Sequence, residues 1–132
     1  MSSVPIVSFT GGTVTGEHIA TVTAPMFKKL SLELGGKNPS LVFADCDFEA
    51  TVTGTARAAF FNSGQVCLCG SRVLVERSIH EEFTSALVEQ AKMLKTKLGP
   101  LISKNHRDKV KQYVDKAKQD GARVVAVVSA MA

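Results

Sequence analysis

Short apolar runs of strand character alternate along this chain with segments whose apolar residues return at helical spacing, and glycine or proline marks most junctions. A strand that feeds a helix and then another strand closes most readily as a right-handed crossover between parallel neighbours. The alternation therefore predicts an α/β class with mostly parallel pairing. Residues 4–9 are apolar and β-branched and end at Thr10-Gly11-Gly12, as a buried strand meets a glycine turn. Residues 16–24 offer Ile19 and Val22 to one face of a short helix, which Pro25 stops. In residues 28–34 the period drops to two, with Leu30, Leu32 and Leu34 on one side and Lys29, Ser31 and Glu33 on the other. Gly35-Gly36 breaks that strand, and Pro39 keeps Asn38 extended ahead of the next, residues 40–43. The glycine pair divides the chain into domains of residues 1–34 and 35–132.

Beyond it, Val52, Ala56, Ala59 and Phe60 recur at helical spacing from Phe48 onward. Asp47 and Glu49 lie where negative charge suits a helix N-terminus, and Asn62-Ser63-Gly64 ends the pattern. Residues 72–76 alternate as a strand. Ser78 with Glu81 predicts a capping box that opens a helix with Phe83, Leu87, Ala91 and Leu94 inside. After Leu98-Gly99-Pro100, Ser103 caps a further helix whose buried side is Val110, Tyr113, Val114 and Ala117, up to Gly121. Residues 123–128 read as the last strand, and no internal repeat is evident.

The 132 residues, 45% of them hydrophobic, suffice for one domain core and hardly for two, and they exclude disordered and collagen-like readings. The most apolar run, residues 124–132, has about half of the roughly 20 residues a membrane span requires. Residues 1–5 lack the order of a secretory signal, so a cytoplasmic location is expected. Cys46, Cys67 and Cys69 form an odd count that argues against a disulfide framework and for free thiols in a reducing compartment. No second cysteine pair follows Cys67-x-Cys69, and His18, His80 and His106 have no ligand spacing, so no metal is expected. Positive charge gathers late, with 10 basic and 3 acidic side chains in residues 90–132. It follows a helical pattern with Tyr113 as its one aromatic residue, which reads as a solvated helix face rather than a nucleic-acid platform.

Three places carry potential chemistry. Residues 11–16 set two glycines between a strand and a helix, where backbone N–H groups can approach a phosphate, although a plain turn has the same composition. Glu17-His18 after Gly16 rules out the nucleoside-triphosphate loop. Cys67 follows a helix in a loop; a thiol there is either a small buried apolar group or a strong nucleophile within reach of substrate. Glu33 stands beside two glycines, either paired to Lys37 on the surface or serving as a general base, a role that partial burial favours.

Leu32-Glu33-Leu34-Gly35-Gly36-Lys37-Asn38-Pro39, followed by Phe61-Asn62-Ser63-Gly64-Gln65-Val66-Cys67 and Ser71-Arg72, resembles the aldehyde dehydrogenase superfamily. The resemblance runs from Val7 to about Ala122. Cys67-Leu68-Cys69 together with Lys37-Asn38-Pro39 is most similar to the branch of 2-aminomuconate and hydroxymuconic semialdehyde dehydrogenases. The resemblance implies a fragment of that α/β fold, with the end of an NAD-binding domain in residues 1–34 and the start of a thiol-bearing catalytic domain in residues 35–132. It implies oxidation of an aldehyde to a carboxylic acid with NAD, NADP remaining open. Cys67 matches the nucleophile that passes through a thiohemiacetal and a thioester, and Glu33 matches the base that activates the hydrolytic water. Gly11, Gly12, Thr13 and Gly16 match the cofactor turn, with Leu34 beside it.

The sequence also departs from that pattern. Gly12 replaces a usual serine, the connection through residues 95–99 is shorter than usual, and the tail from Val124 diverges. Family elements expected before Met1 and after Ala132 are absent from this sequence. These departures predict a truncated product that is catalytically silent and binds or regulates, as the alternative to an active enzyme. The partners expected are a small aldehyde and either further copies or a full-length subunit, with neither nucleic acid nor membrane.

Overall fold

The structure, a computed structural model, describes residues 3–127 and divides into two compact units, one ending at Gly36 and one beginning at Lys37. In the first unit, β1 (Ile6–Gly11) leads into α1 (Thr13–Thr23), a short 3-10 turn (Ala24–Met26) and β2 (Lys29–Leu34). The two strands pair in parallel, in register from Ile6 opposite Lys29 to Gly11 opposite Leu34. On β2 the leucines are half-buried and Lys29, Ser31 and Glu33 are exposed, as the two-residue period predicts. Helix α1 begins three residues before the predicted start. Gly12 is already extended, with ψ 148°, and acts as its cap, so that Gly16 N–H donates to Gly12 O over 3.1 Å inside the first turn. Gly16 is buried because α1 crosses close to β2: a Cβ there would come within 2.8 Å of Leu34 Cδ2.

The second unit repeats the strand–helix–strand arrangement with β3 (Pro39–Val42), α2 (Phe48–Phe60) and β4 (Arg72–Val75), again parallel, from Pro39 opposite Arg72 to Val42 opposite Val75. Asp47 caps α2 by accepting a hydrogen bond from Ala50 N–H at 3.1 Å. Glu76 then ties the ends of the two strands together: its carboxylate accepts from Ala44 N–H and from Ser78 Oγ, both at 2.8 Å. The Ala44 N–H, followed by the Ser78 hydroxyl, holds this carboxyl below its ordinary pKa.

Helices α3 (His80–Leu94) and α4 (Lys104–Gln119) complete the unit, and α3 packs on α2. The core is Val42, Val52 and Phe83, surrounded by Phe48, Val73, Val75, Ile79 and Leu87. Phe83 is fully buried and meets Phe48 edge-to-face, with centroids 5.8 Å apart and planes at 82°. Phe83→Ala is expected to destabilise this unit by about 3–5 kcal/mol, because a cavity replaces a fully buried ring of the Val42–Val52–Phe83 cluster. Urea unfolding read by circular dichroism checks it, and a loss below about 1 kcal/mol would show that the core closes around the gap.

The first strand, expected to be buried, has no buried residue, with Ile6 exposed, because among the described residues it pairs with β2 alone, and three expectations fail in the second unit. The Ser78–Glu81 capping box does not form: Ser78 bonds to Glu76, a 3-10 turn (Arg77–Ile79) leads into α3, and the helix has no side-chain cap. Helix α4 is capped by Ser103 as predicted, its Oγ accepting from His106 N–H at 3.1 Å, but it buries none of its residues. Tyr113 and Ala117 are exposed and Val110 and Val114 only half-buried, because among the described residues no other element packs extensively on α4. Residues 123–127 form no strand. A strand must pair its backbone groups, and both described sheets contain two strands, with none alongside this segment. Val128, the last residue of that predicted strand, lies outside the described residues, as do residues 128–132 of the apolar run. No helix among the described residues is long and apolar enough to cross a membrane.

Candidate active site

The loop that carries Cys67 is built by an abrupt end to α2. Beyond Phe60 the backbone enters the left-handed region at three successive residues, Asn62 (φ 50°), Ser63 (φ 57°) and Gly64 (φ 74°). Two of these are not glycine, and each such residue costs about 1–3 kcal/mol unless its surroundings enforce it. They do so here. Gln65 N–H and Nε2 both donate to Asn62 O at 3.1 Å, and Ser63 Oγ donates to Gly99 O at 2.6 Å. Gln65 Oε1 in turn accepts from Ile102 N–H at 2.8 Å, so the connection between α3 and α4 braces this bend.

The thiol follows at once. Cys69 N–H donates to Val66 O over 3.0 Å and closes a turn whose central residues are Cys67 and Leu68. Cys67 is exposed, and the buried thiol is that of Cys69. Gly70 N–H donates to Ala58 O at 3.0 Å, and a Cβ on Gly70 would lie 2.6 Å from Ser40 Oγ, so the exit of the turn is pressed between α2 and β3. From β3's side, Asn38 Nδ2 donates to Cys67 O at 2.8 Å and to Cys69 O at 3.2 Å. Beside the loop lies an open cleft of about 340 Å³ lined by Arg57, Ala58, Phe61, Val66, Leu68 and Cys69, with Cys67 not among its lining residues, a volume suited to a small molecule. Neighbours of Cys67 on both sides reach this cleft. Sequence reasoning placed Asn38 in an extended segment but gave it no part in the site, since its partners lie 29 and 31 residues away.

The other candidates gather in the first unit. Gly11 ends β1 opposite Leu34, Gly12 caps α1, Thr13 is the first helical residue, and Gly16 packs on Leu34. No side chain caps α1, and a Cβ on Gly12 would meet nothing within 4 Å. Glu33 lies opposite Thr10, one residue before Leu34, on the face away from the leucine row. It is exposed rather than partly buried and forms no ion pair among the described residues, so the surface pairing with Lys37 is not made. The structure thus assembles the cofactor candidates and Glu33 on one unit and sets Cys67 on the other. No cluster of metal-ligating side chains occurs among the described residues.

Comparison with known proteins finds relatives over most of the length of this chain. The 2-aminomuconic semialdehyde dehydrogenase of Mus musculus is 46% identical over 130 residues, 92% of this chain and 27% of that protein. The 2-aminomuconic 6-semialdehyde dehydrogenase of a Pseudomonas species is 50% identical over 128 residues, 91% of this chain and 26% of that protein. A crystal structure of betaine aldehyde dehydrogenase from Staphylococcus aureus in complex with NAD+ superposes with a TM-score of 0.88 at 43% identity, over 92% of this chain and 26% of that one. The chain spans about a quarter of the length of the curated relatives it matches. The sequence profile of the aldehyde dehydrogenase family matches residues 1–129, and the chain belongs to that family.

Proposed function

We propose that this protein oxidises an aldehyde to the carboxylic acid, with Cys67 as nucleophile, Glu33 as the base for hydrolysis and NAD+ as hydride acceptor. The observation that carries this reading is an exposed thiol at the centre of a turn braced from β3, from α2 and from the α3–α4 connection. The similarity to enzymes named as aldehyde dehydrogenases, and to one crystallised with NAD+, supports it. Gly11, Gly12, Thr13 and Gly16 suit a dinucleotide: an uncapped helix N-terminus with no Cβ in the way accepts a pyrophosphate, and Leu34 closes the far side of the helix. NADP remains open.

In this reading the Cys67 sulfur bonds to the aldehyde carbon while the carbonyl oxygen takes a proton, giving a thiohemiacetal. The Cys67 N–H, which donates to no acceptor among the described residues, is free to face that oxygen. The nicotinamide supplies, when bound, the acceptor for the hydride that this carbon releases. With the hydroxyl proton lost to solvent as that hydride leaves, what remains on Cys67 is a thioester. Glu33 removes a proton from water, the hydroxide adds to the thioester carbon, the C–S bond breaks, and the acid departs as the thiol is restored. Free cysteines suit this chemistry to a reducing compartment, the cytoplasm.

A second reading, a silent protein that binds or regulates a full-length subunit or another copy, is favoured by the exposed stripe of Tyr113 and Ala117 on α4. NADH formation separates the two readings. With 2-aminomuconic semialdehyde, 2-hydroxymuconic semialdehyde, betaine aldehyde and a short aliphatic aldehyde, turnover is expected with at least one. A folded protein that forms no NADH with any of them replaces the first reading with the second.

A further inference from the structure

We infer that Asn38 is a positioning residue for Cys67, holding the central peptide of the thiol turn in one of its two orientations; the inference rests on Cys67 being the reacting thiol. A four-residue turn has one cheap internal motion. The peptide between its two central residues flips, which exchanges the main turn types with little change at the ends. In the turn closed by Cys69 N–H and Val66 O, that peptide joins Cys67 to Leu68, and its oxygen is the one that Asn38 Nδ2 engages at 2.8 Å. A flip would carry Cys67 O away from Asn38 and swing the Leu68 N–H to the opposite side. The backbone beside the sulfur would then present a different dipole to substrate.

Asn38 is equipped to prevent this. An asparagine amide has two N–H donors, and here both are used, on Cys67 O and on Cys69 O, so one rigid plane links the centre of the turn to its exit. The anchor is itself hydrogen-bonded to β4. Pro39 keeps Asn38 extended, Asn38 O accepts from Arg72 N–H at 3.2 Å, and the neighbouring Lys37 O accepts from the Arg72 guanidinium at 3.4 Å. The start of β4 thus holds Asn38 where the chain leaves the thiol turn.

Two substitutions separate positioning from filling of space. Asn38→Ala removes both donors and is expected to lower kcat/KM about tenfold, chiefly through kcat, as two modest hydrogen bonds cease to favour one orientation. Asn38→Asp keeps the size but turns a carboxylate on two carbonyl oxygens. It is expected to cost more than alanine and to move the pH profile of Cys67 alkylation by iodoacetamide upward, read on the Cys67 peptide by mass spectrometry without substrate or cofactor. Wild-type kinetics and alkylation in Asn38→Asp, or equal losses in both variants with an unmoved profile, would overturn the inference. If the variants do not fold, the unaltered protein decides: the Asn38 side-chain amide protons should exchange slowly with solvent, and rapid exchange of both refutes the hold on the turn. Turnover that survives Cys67→Ala would instead refute the choice of thiol, while amide exchange and alkylation still report on the turn.

Discussion

Cys67→Ala is expected to abolish aldehyde oxidation, with kcat falling on the order of 10⁶-fold, the scale of loss when a covalent nucleophile is removed. The size of the effect follows from the chemistry. Without sulfur no thiohemiacetal forms, and the oxidation has no route to a thioester that water can open. The fold should tolerate the change, because Cys67 is exposed and makes its structural contacts through its backbone oxygen, which alanine retains. Melting temperature should therefore be nearly unchanged while NADH formation stops. Cys69→Ala is the matched control: that thiol is 7% exposed and approaches Phe61 O at 4.0 Å, so its loss should cost stability while leaving the chemical step in place. Substantial turnover in Cys67→Ala, or a silent Cys69→Ala with native stability, would reverse the assignment of the two sulfurs.

The choice between these cysteines shows what the sequence makes legible. The spacing of Leu30, Leu32 and Leu34 gave the exposure of Glu33 on the opposite face, because side-chain direction in a strand is a local property. The end of α2 was legible in part: Asn62 and Gly64 accept a left-handed backbone from their own chemistry, whereas Ser63 is held in it by Gly99, 36 residues further on. Where a residue's partner lies far along the chain, the same reasoning goes astray. Ser78 has the composition of a cap, yet Glu76 takes its hydroxyl because that carboxylate is already fixed on Ala44 across the sheet. The stripe on α4 has the period of a buried face but no described element to bury it. Asn38 is a further case, since nothing in Lys37-Asn38-Pro39 indicates that its amide spans to the thiol turn. The resemblance proposes the site residues, and only the structure shows the hydrogen bonds that brace their loop.

Glu33→Gln is expected to divide the reaction at its midpoint. If Glu33 serves only to activate water, the first half, from sulfur attack to loss of hydride, needs no carboxylate there. One equivalent of NADH should then appear rapidly, and steady turnover should fall by about 10²–10⁴-fold, the usual value of a positioned general base. An acyl group should accumulate on Cys67, visible as an added mass on that peptide and removable by hydroxylamine, an external nucleophile that needs no base from the protein. Structural damage does not account for such a pattern, because Glu33 is exposed, forms no ion pair among the described residues, and pairs with Thr10 through its backbone. Glutamine preserves that pairing and the length of the side chain. A burst that vanishes along with turnover would move Glu33 to the first half, as the group that takes the thiol proton, and an undiminished steady rate would remove it from the chemistry altogether. The burst therefore distinguishes a base for water from a base for sulfur, two roles that steady-state rates alone leave merged.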